Sequence, residues 1–428
     1  MKKILLAGAS VALLASPSFA AEGDLPSREE MWKMIQTQQK QIETLTDKLD
    51  KNEDTLAKTE AKVEQTQATT ERVALQTEEH SKTIAEGLAK LEPAGGSDNF
   101  APGWWKRTSI GGYAEVIANK GSSEDEIDAR RFVLFLGHEF NEDIRAFAEI
   151  EVEHADEIFL EQAYLEFDIG DYNYARIGGL ILPIGILNEK HEPTTFFGAE
   201  RNPIETNIIP TTLREGGIWF GGHTENGFGY DLVFHSGLNA NLETPTPDFL
   251  PRGARGRISQ QEFEDFAGTA RIKYTGIAGV ELASSINYQE DLAQGQLASE
   301  AEAILYTAHA DIRRGPWGLR ALGAIWDIDG SEAAALGRDE QYGYYIEPSY
   351  RFKLPYKIGE AGIFARFNSF DNSAGNSDDT DIQQYDFGFN YWPHENVVLK
   401  TDIAVIRAGS ASGEIDEEVF NFGAGWVF

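Results

Sequence analysis

The sequence predicts an all-β fold, an antiparallel transmembrane β-barrel of about 16 strands, preceded by an N-terminal α-helical coiled coil. Three observations carry this prediction. Beyond Trp104-Trp105 the apolar residues alternate with period two and never return to a helical spacing. The connections between the alternating segments are sorted, short turns taking turns with long loops. The chain ends on a segment, 417–428, whose Phe428, Trp426, Ala424, Phe422 and Phe420 share one face, because strand side chains alternate sides. Its other face carries Val427, Gly425, Gly423, Asn421 and Val419, small or polar for the most part. A soluble protein gains little from such an ending, whereas a strand facing lipid gains a great deal.

In chain order, Met1-Lys2-Lys3, an apolar run over 4–15 and Ser18-Phe19-Ala20 form a basic, apolar and small-x-small series. That is the pattern of a signal peptide over 1–20, cleaved after Ala20. The apolar run is too short for a spanning helix of about 20 residues. No cysteine is present, so no disulfide framework forms despite export. The net charge of -33 excludes a nucleic-acid partner, which needs a basic patch.

Segment 28–92 is rich in Glu, Gln, Lys, Ala and Thr, with apolar residues every seven positions at Ile35, Ile42, Leu49, Leu56 and Val63, and again at Ile84 and Leu91. This heptad spacing predicts a self-associating periplasmic coiled coil. Its companion seam is polar, with Asn52, Thr59 and Thr66, and a lone solvated helix is the competing reading. About sixty helical residues reach roughly 90 Å, far enough to approach peptidoglycan. Pro93-Ala94-Gly95-Gly96-Ser97 opens a linker over 93–103, where the helix must break. The barrel then occupies 104–428.

The predicted strands are 108–119, 127–140, 144–153, 158–168, 174–182, 216–222, 227–238, 266–275, 278–289, 301–313, 317–328, 342–354, 360–370, 382–392, 397–408 and 417–428. Short turns such as Asn141-Glu142-Asp143, Gly315-Pro316 and Pro393-His394-Glu395 follow every second strand. Long connections, 183–215 and 239–264 above all, fall between them. A barrel with both ends in the periplasm sorts its loops this way.

Within strands the charges share a face. In 144–153, Arg145, Phe147, Glu149, Glu151 and Glu153 oppose Ile144, Ala146, Ala148, Ile150 and Val152. A charge in mid-membrane facing hydrocarbon costs about 2–4 kcal/mol, so the charged face points inward, around a wet lumen. The inward basic residues, expected to line the pore and contact anions, are then Arg145, Arg176, Arg271, Lys273, Arg320, Arg351, Arg366 and Lys400, interleaved with Glu149, Glu151, Glu347, Asp386 and Asp402. Rows of opposed charge bias which solutes pass; alternatively they simply neutralise one another. The long connection 183–215 contains Lys190, Arg201 and Arg214 and would narrow the lumen by folding into it. Loop segment 250–257, with Arg252, Arg255 and Arg257, is basic in an acidic chain, suited to anions at the mouth or to lipopolysaccharide phosphates.

Asp128-Ala129-Arg130-Arg131-Phe132, Glu161-Gln162-Ala163-Tyr164-Leu165, Pro183-Ile184-Gly185, Ile209-Pro210-Thr211 and Arg214-Glu215-Gly216-Gly217 stand in the same order as in the phosphate-selective porins, which the chain resembles over roughly 109–428. The resemblance implies a trimeric, sixteen-stranded outer-membrane barrel whose third outer loop, here 183–215, folds inside. An N-terminal coiled coil ahead of it resembles porins that take up small dicarboxylates. One departure stands out: family members line the lumen with an arginine ladder and a lysine cluster, whereas here bases and acids alternate.

The expected function is passive diffusion of small hydrophilic solutes, favouring small anions such as phosphate or dicarboxylates. The alternative is a structural outer-membrane protein whose coiled coil tethers the envelope, with little selectivity. Catalysis is not expected: His235 and Ser236 point to opposite faces, and His309 with Asp311 lacks a serine. No cofactor and no metal site are expected, since Asp378, Asp379 and Asp381 read as a solvated loop without EF-hand spacing. Expected partners are two further copies of the chain, outer-membrane lipids and lipopolysaccharide, the solute, and the assembly machinery that reads a terminal strand through Phe428 and Trp426.

Overall fold

The computed structural model describes residues 104–428 apart from 122–124, 241–247, 298–299 and 413–415; upstream it describes only Arg28, Trp32, Gln36, Gln39 and Lys40, all helical. The expected signal peptide, the linker 93–103 and the rest of the coiled coil lie outside the described residues.

Period-two alternation becomes sixteen strands: β1 Thr108–Lys120, β2 Asp125–Glu139, β3 Ile144–Glu153, β4 Glu157–Ile169, β5 Asn173–Ile181, β6 Arg214–His223, β7 Phe228–His235, β8 Ala267–Tyr274, β9 Val280–Gln289, β10 Ala303–Arg314, β11 Trp317–Ile328, β12 Glu340–Lys353, β13 Glu360–Asp371, β14 Ile382–His394, β15 Val397–Ala408 and β16 Asp416–Val427. Each pairs with its sequence neighbours, antiparallel throughout, and β16 pairs with β1 to close the barrel. Closure leaves no unpaired sheet edge, the condition for a sheet to sit in hydrocarbon.

Most strand ends fall within one or two residues of their expected spans, and two of the differences have a local cause. The segment 227–238 ends as a strand at His235, because Gly237 adopts a φ of 81° and turns the chain. The segment 216–222 begins earlier, since Arg214 and Glu215 pair with Ile181 and Leu180.

The two faces separate as the alternation demands. On β16 Phe422 is 54% exposed on the outer surface, and Phe428, just past its end, is 53% exposed. On β12, Tyr344 and Ile346 face out while Tyr345 and Glu347 are buried inside. The inner face is not uniformly polar, however. Leu305 on β10, Leu322, Ala324 and Trp326 on β11, Tyr345 on β12 and Phe370 on β13 form an apolar cluster with Leu182, Ile184, Ile186, Leu187, Phe196, Ile204, Ile208 and Ile209. Those partners belong to the long connection between β5 and β6. The protein's apolar core therefore lies inside the barrel, under a loop that has folded inward.

Candidate functional site

The inward loop is fixed at both of its own turns by two buried side chains. Asn188 Nδ2 donates to the Leu182 and Leu213 carbonyls at 2.7 and 3.0 Å, and its Oδ1 accepts from Leu213 N–H at 2.6 Å. Glu205 Oε1 accepts from the Ile186 and Leu187 N–H groups, both at 2.6 Å. Its Oε2 accepts from Asn202 Nδ2 and from Tyr345 Oη of β12, each at 3.0 Å. Backbone groups that must be satisfied away from water thus find partners within the loop.

The loop then crosses the inner wall. Lys190 Nζ lies 2.8 Å from Glu281 on β9. Arg320 on β11 donates to Thr195 O at 2.9 Å, and Asn390 on β14 to Phe196 O at 3.2 Å. Ala199 N–H donates to Asp402 on β15 at 2.6 Å, and Arg130 on β2 reaches Glu200 at 2.5 Å. The loop is thus tied to the inner wall at β9, β11, β14, β15 and β2.

The predicted inward basic residues do line the inner wall, and seven of the eight sit beside carboxylates. Arg145 and Arg176 share Glu166 at 2.8 and 2.6 Å. Arg271 bonds Asp231 at 2.7 Å and also Glu189 of the loop. Arg320 meets Asp311 at 3.1 Å, Arg351 meets Glu360 at 2.7 Å, and Arg366 meets both Glu347 and Asp386 at 2.9 Å. Lys400 lies 3.8 Å from Glu115 and 3.5 Å over the Phe196 ring. Lys273 has no ion pair among the described residues. Strand register explains the pattern: Asp311 sits opposite Arg320, Arg320 opposite Glu347, and Arg366 opposite Asp386. Opposite charges placed side by side cancel locally.

A cavity of about 390 Å³ between the loop and the β1–β4 wall has a different balance. It is lined by seven arginines, at 130, 131, 201, 214, 252, 255 and 257, against five glutamates, at 115, 151, 153, 157 and 200. Arg131 is matched by Glu115 at 2.8 Å and Arg130 by Glu200. Arg214 stands 3.6 Å from both Glu151 and Glu161. Arg201, Arg252, Arg255 and Arg257 have no carboxylate in ion-pair range among the described residues. Arg252 and Arg255 reach the backbone carbonyls of Thr206, Pro210 and Thr211 at 3.4–3.5 Å, and Arg255 Nε also donates to the Arg252 carbonyl at 3.1 Å. Arg257 and Arg214 flank the Phe159 ring at 5.3 and 5.6 Å, a cation–π contact that orients a guanidinium without neutralising it. Burial first, then the neighbouring Arg252, Arg257 and Arg214, depress Arg255 to about 9. A guanidinium gives up its proton very reluctantly, so the cluster keeps its positive charge at neutral pH.

Of the residues expected in the inner loop, the structure brings Arg201 and Arg214 into this chamber and sends Lys190 to Glu281 instead. The basic segment 250–257 was visible in the sequence as a cluster of charge, but its folding inward onto the 206–211 carbonyls had no local signal. Phe428 and Trp426 both lie on the outer surface of the barrel.

No protein-family model matches the chain. An uncharacterized protein of Aquifex aeolicus (strain VF5) is 26% identical over 361 residues, 76% of this chain and 80% of the relative. Among solved structures, the outer membrane channel DcaP of Acinetobacter baumannii is similar with a TM-score of 0.53 at 14% identity, over 75% of this chain and 97% of that one. An anion-selective porin from Comamonas acidovorans gives 0.51 at 13% identity, over 75% and 99%. The fold is that of these closed barrels.

Proposed function

We propose that the chain is an outer-membrane porin, passing small hydrophilic solutes passively and favouring small anions such as phosphate or dicarboxylates. One observation carries the reading: four arginines without carboxylate partners surround a 390 Å³ chamber in a chain of net charge -33. In a protein this acidic, a local excess of guanidinium is the signature of an anion path. The signal-peptide pattern, the apolar outer face and the terminal phenylalanine strand support the location; the likeness to porin barrels supports the class. On this reading the chain assembles as a homotrimer and carries no enzymatic activity. The paired residues Arg145, Arg176, Arg271, Arg320, Arg351, Arg366 and Lys400 hold the wall and the loop in place, while Arg201, Arg214, Arg252, Arg255 and Arg257 meet the solute.

The test is the reversal potential of the reconstituted channel in a potassium chloride gradient. Anion selectivity is expected, and a cation-selective pore would overturn the reading.

A further inference from the structure

We propose that Glu149, Glu161 and His191 form a divalent-metal site that pins the inner loop to the barrel wall. The three come from β3, β4 and the loop, and one ligand atom of each lies within 4.8 Å of the others. All are buried, Glu161 completely. Two carboxylates and an imidazole are a donor set that suits Zn²⁺ and similar ions.

The cluster is incomplete as it stands. Glu149 Oε2 and Glu161 Oε2 are both buried without a hydrogen-bond partner, and a buried carboxylate oxygen left unsatisfied is costly. His191 Nε2 lies 3.5 Å from Glu161 Oε2, too far for a good hydrogen bond. Two ligands each about 2.1 Å from one tetrahedral ion stand about 3.4 Å apart, close to that separation.

The surroundings orient the donors. His191 Nδ1 is 2.9 Å from the Asn188 carbonyl, which only accepts, so Nδ1 carries a hydrogen and Nε2 is the nitrogen turned toward the carboxylates. Thr212 Oγ1 donates to Glu161 Oε1 at 2.8 Å, and Arg214 approaches that same oxygen at 3.6 Å. Both leave Oε2 free. A backbone carbonyl behind the imidazole and a hydroxyl behind the carboxylate are the supports that metal ligands ordinarily have. Because His191 follows Lys190 at the loop's crossing point, an ion here would join loop to wall independently of any solute preference.

The experiment is a Zn²⁺ titration by calorimetry of the folded full-length protein in detergent, stripped beforehand with a chelator. About one ion per chain is expected, with affinity falling at least tenfold in Glu149→Gln and in His191→Gln, and unchanged in Asp379→Asn. Zinc-edge absorption on the loaded wild type should show oxygen and imidazole neighbours, a readout that stands even where a variant fails to fold. Absence of wild-type binding, loaded zinc without imidazole coordination, or unaltered affinity in a folded Glu149→Gln or His191→Gln barrel would overturn the site.

Discussion

Phe428 and Gly112 exchange both of their backbone hydrogen bonds, Gly112 N to Phe428 O and Phe428 N to Gly112 O, each at 2.9 Å. The last residue of the chain thereby closes the seam between β16 and β1. The Phe428 ring lies over Gly112, where an added Cβ would come within 2.9 Å of it, and stacks on Phe132 at 5.9 Å. Phe428→Ala leaves the backbone pair intact but removes the aromatic contact, about 0.5–1.5 kcal/mol. The expected outcome is a lower yield of assembled barrel, measured by heat-modifiable mobility, with the selectivity of surviving channels unchanged. A change in selectivity would mean that the terminal strand reaches the pore.

Anion preference should reside in the chamber arginines. Replacing Arg252 and Arg255 together by alanine removes two charges that no carboxylate balances, so the anion-to-cation permeability ratio should fall severalfold with little loss of stability. The pH dependence follows from the sign of the shift. A cation whose folded pKa is depressed destabilises the fold fully below that pKa, and the cost fades as pH rises above it toward the unfolded value. For Arg255 that window opens at about 9. A bound anion offsets the cost, so phosphate should raise the unfolding temperature at pH 7, and by less above pH 9. In the double variant, phosphate should have no such effect.

The contrast with the paired arginines shows what sequence patterning resolves. Alternation in 144–153 or 342–354 told inward from outward correctly, because a single strand carries that information in its own period. Pairing is a property of register between strands: Arg366 meets Asp386 only because β13 and β14 align there. Neither strand alone encodes the match. The chamber was less legible still, since it joins strand residues to 250–257 across the lumen. The loops at Glu205 and Asn188 gave no warning either, as a lone Glu or Asn in a long connection has no periodicity to betray burial. The trio at Glu149, Glu161 and His191 is likewise spread over two strands and a loop, without any motif spacing.

Arg366 tests the distinction directly. It bonds Glu347 and Asp386 at 2.9 Å and also approaches the Phe197 carbonyl of the inner loop at 3.4 Å. Arg366→Ala would leave two buried carboxylates facing one another, a defect of about 3–5 kcal/mol. The unfolding midpoint should drop markedly, and any channels that form should shift toward cations. A variant as stable as wild type would show that these pairs do not support the wall.

Glu205 allows the loop itself to be loosened without touching a pore-facing charge. Its Oε1 holds two backbone N–H groups, and beside it Gly185 adopts a φ of 70°, with room for no Cβ because one would lie 2.7 Å from that oxygen. Glu205→Gln keeps the Oε1 acceptor for both N–H groups and a partner for Tyr345 and loses only the bond from Asn202 Nδ2, so its effect should be the smaller. Glu205→Leu keeps the bulk but strands both N–H groups, at about 1–3 kcal/mol for each buried donor left unpaired. The apolar packing of Ile184, Ile186, Ile204 and Ile208 would still hold the barrel together, so the loss should fall on the loop. Single-channel recordings should show greater open-channel noise in Glu205→Leu, and a proteolytic cut within 183–213 should become faster. Equal behaviour of the Gln and Leu variants would mean that apolar packing alone positions the loop.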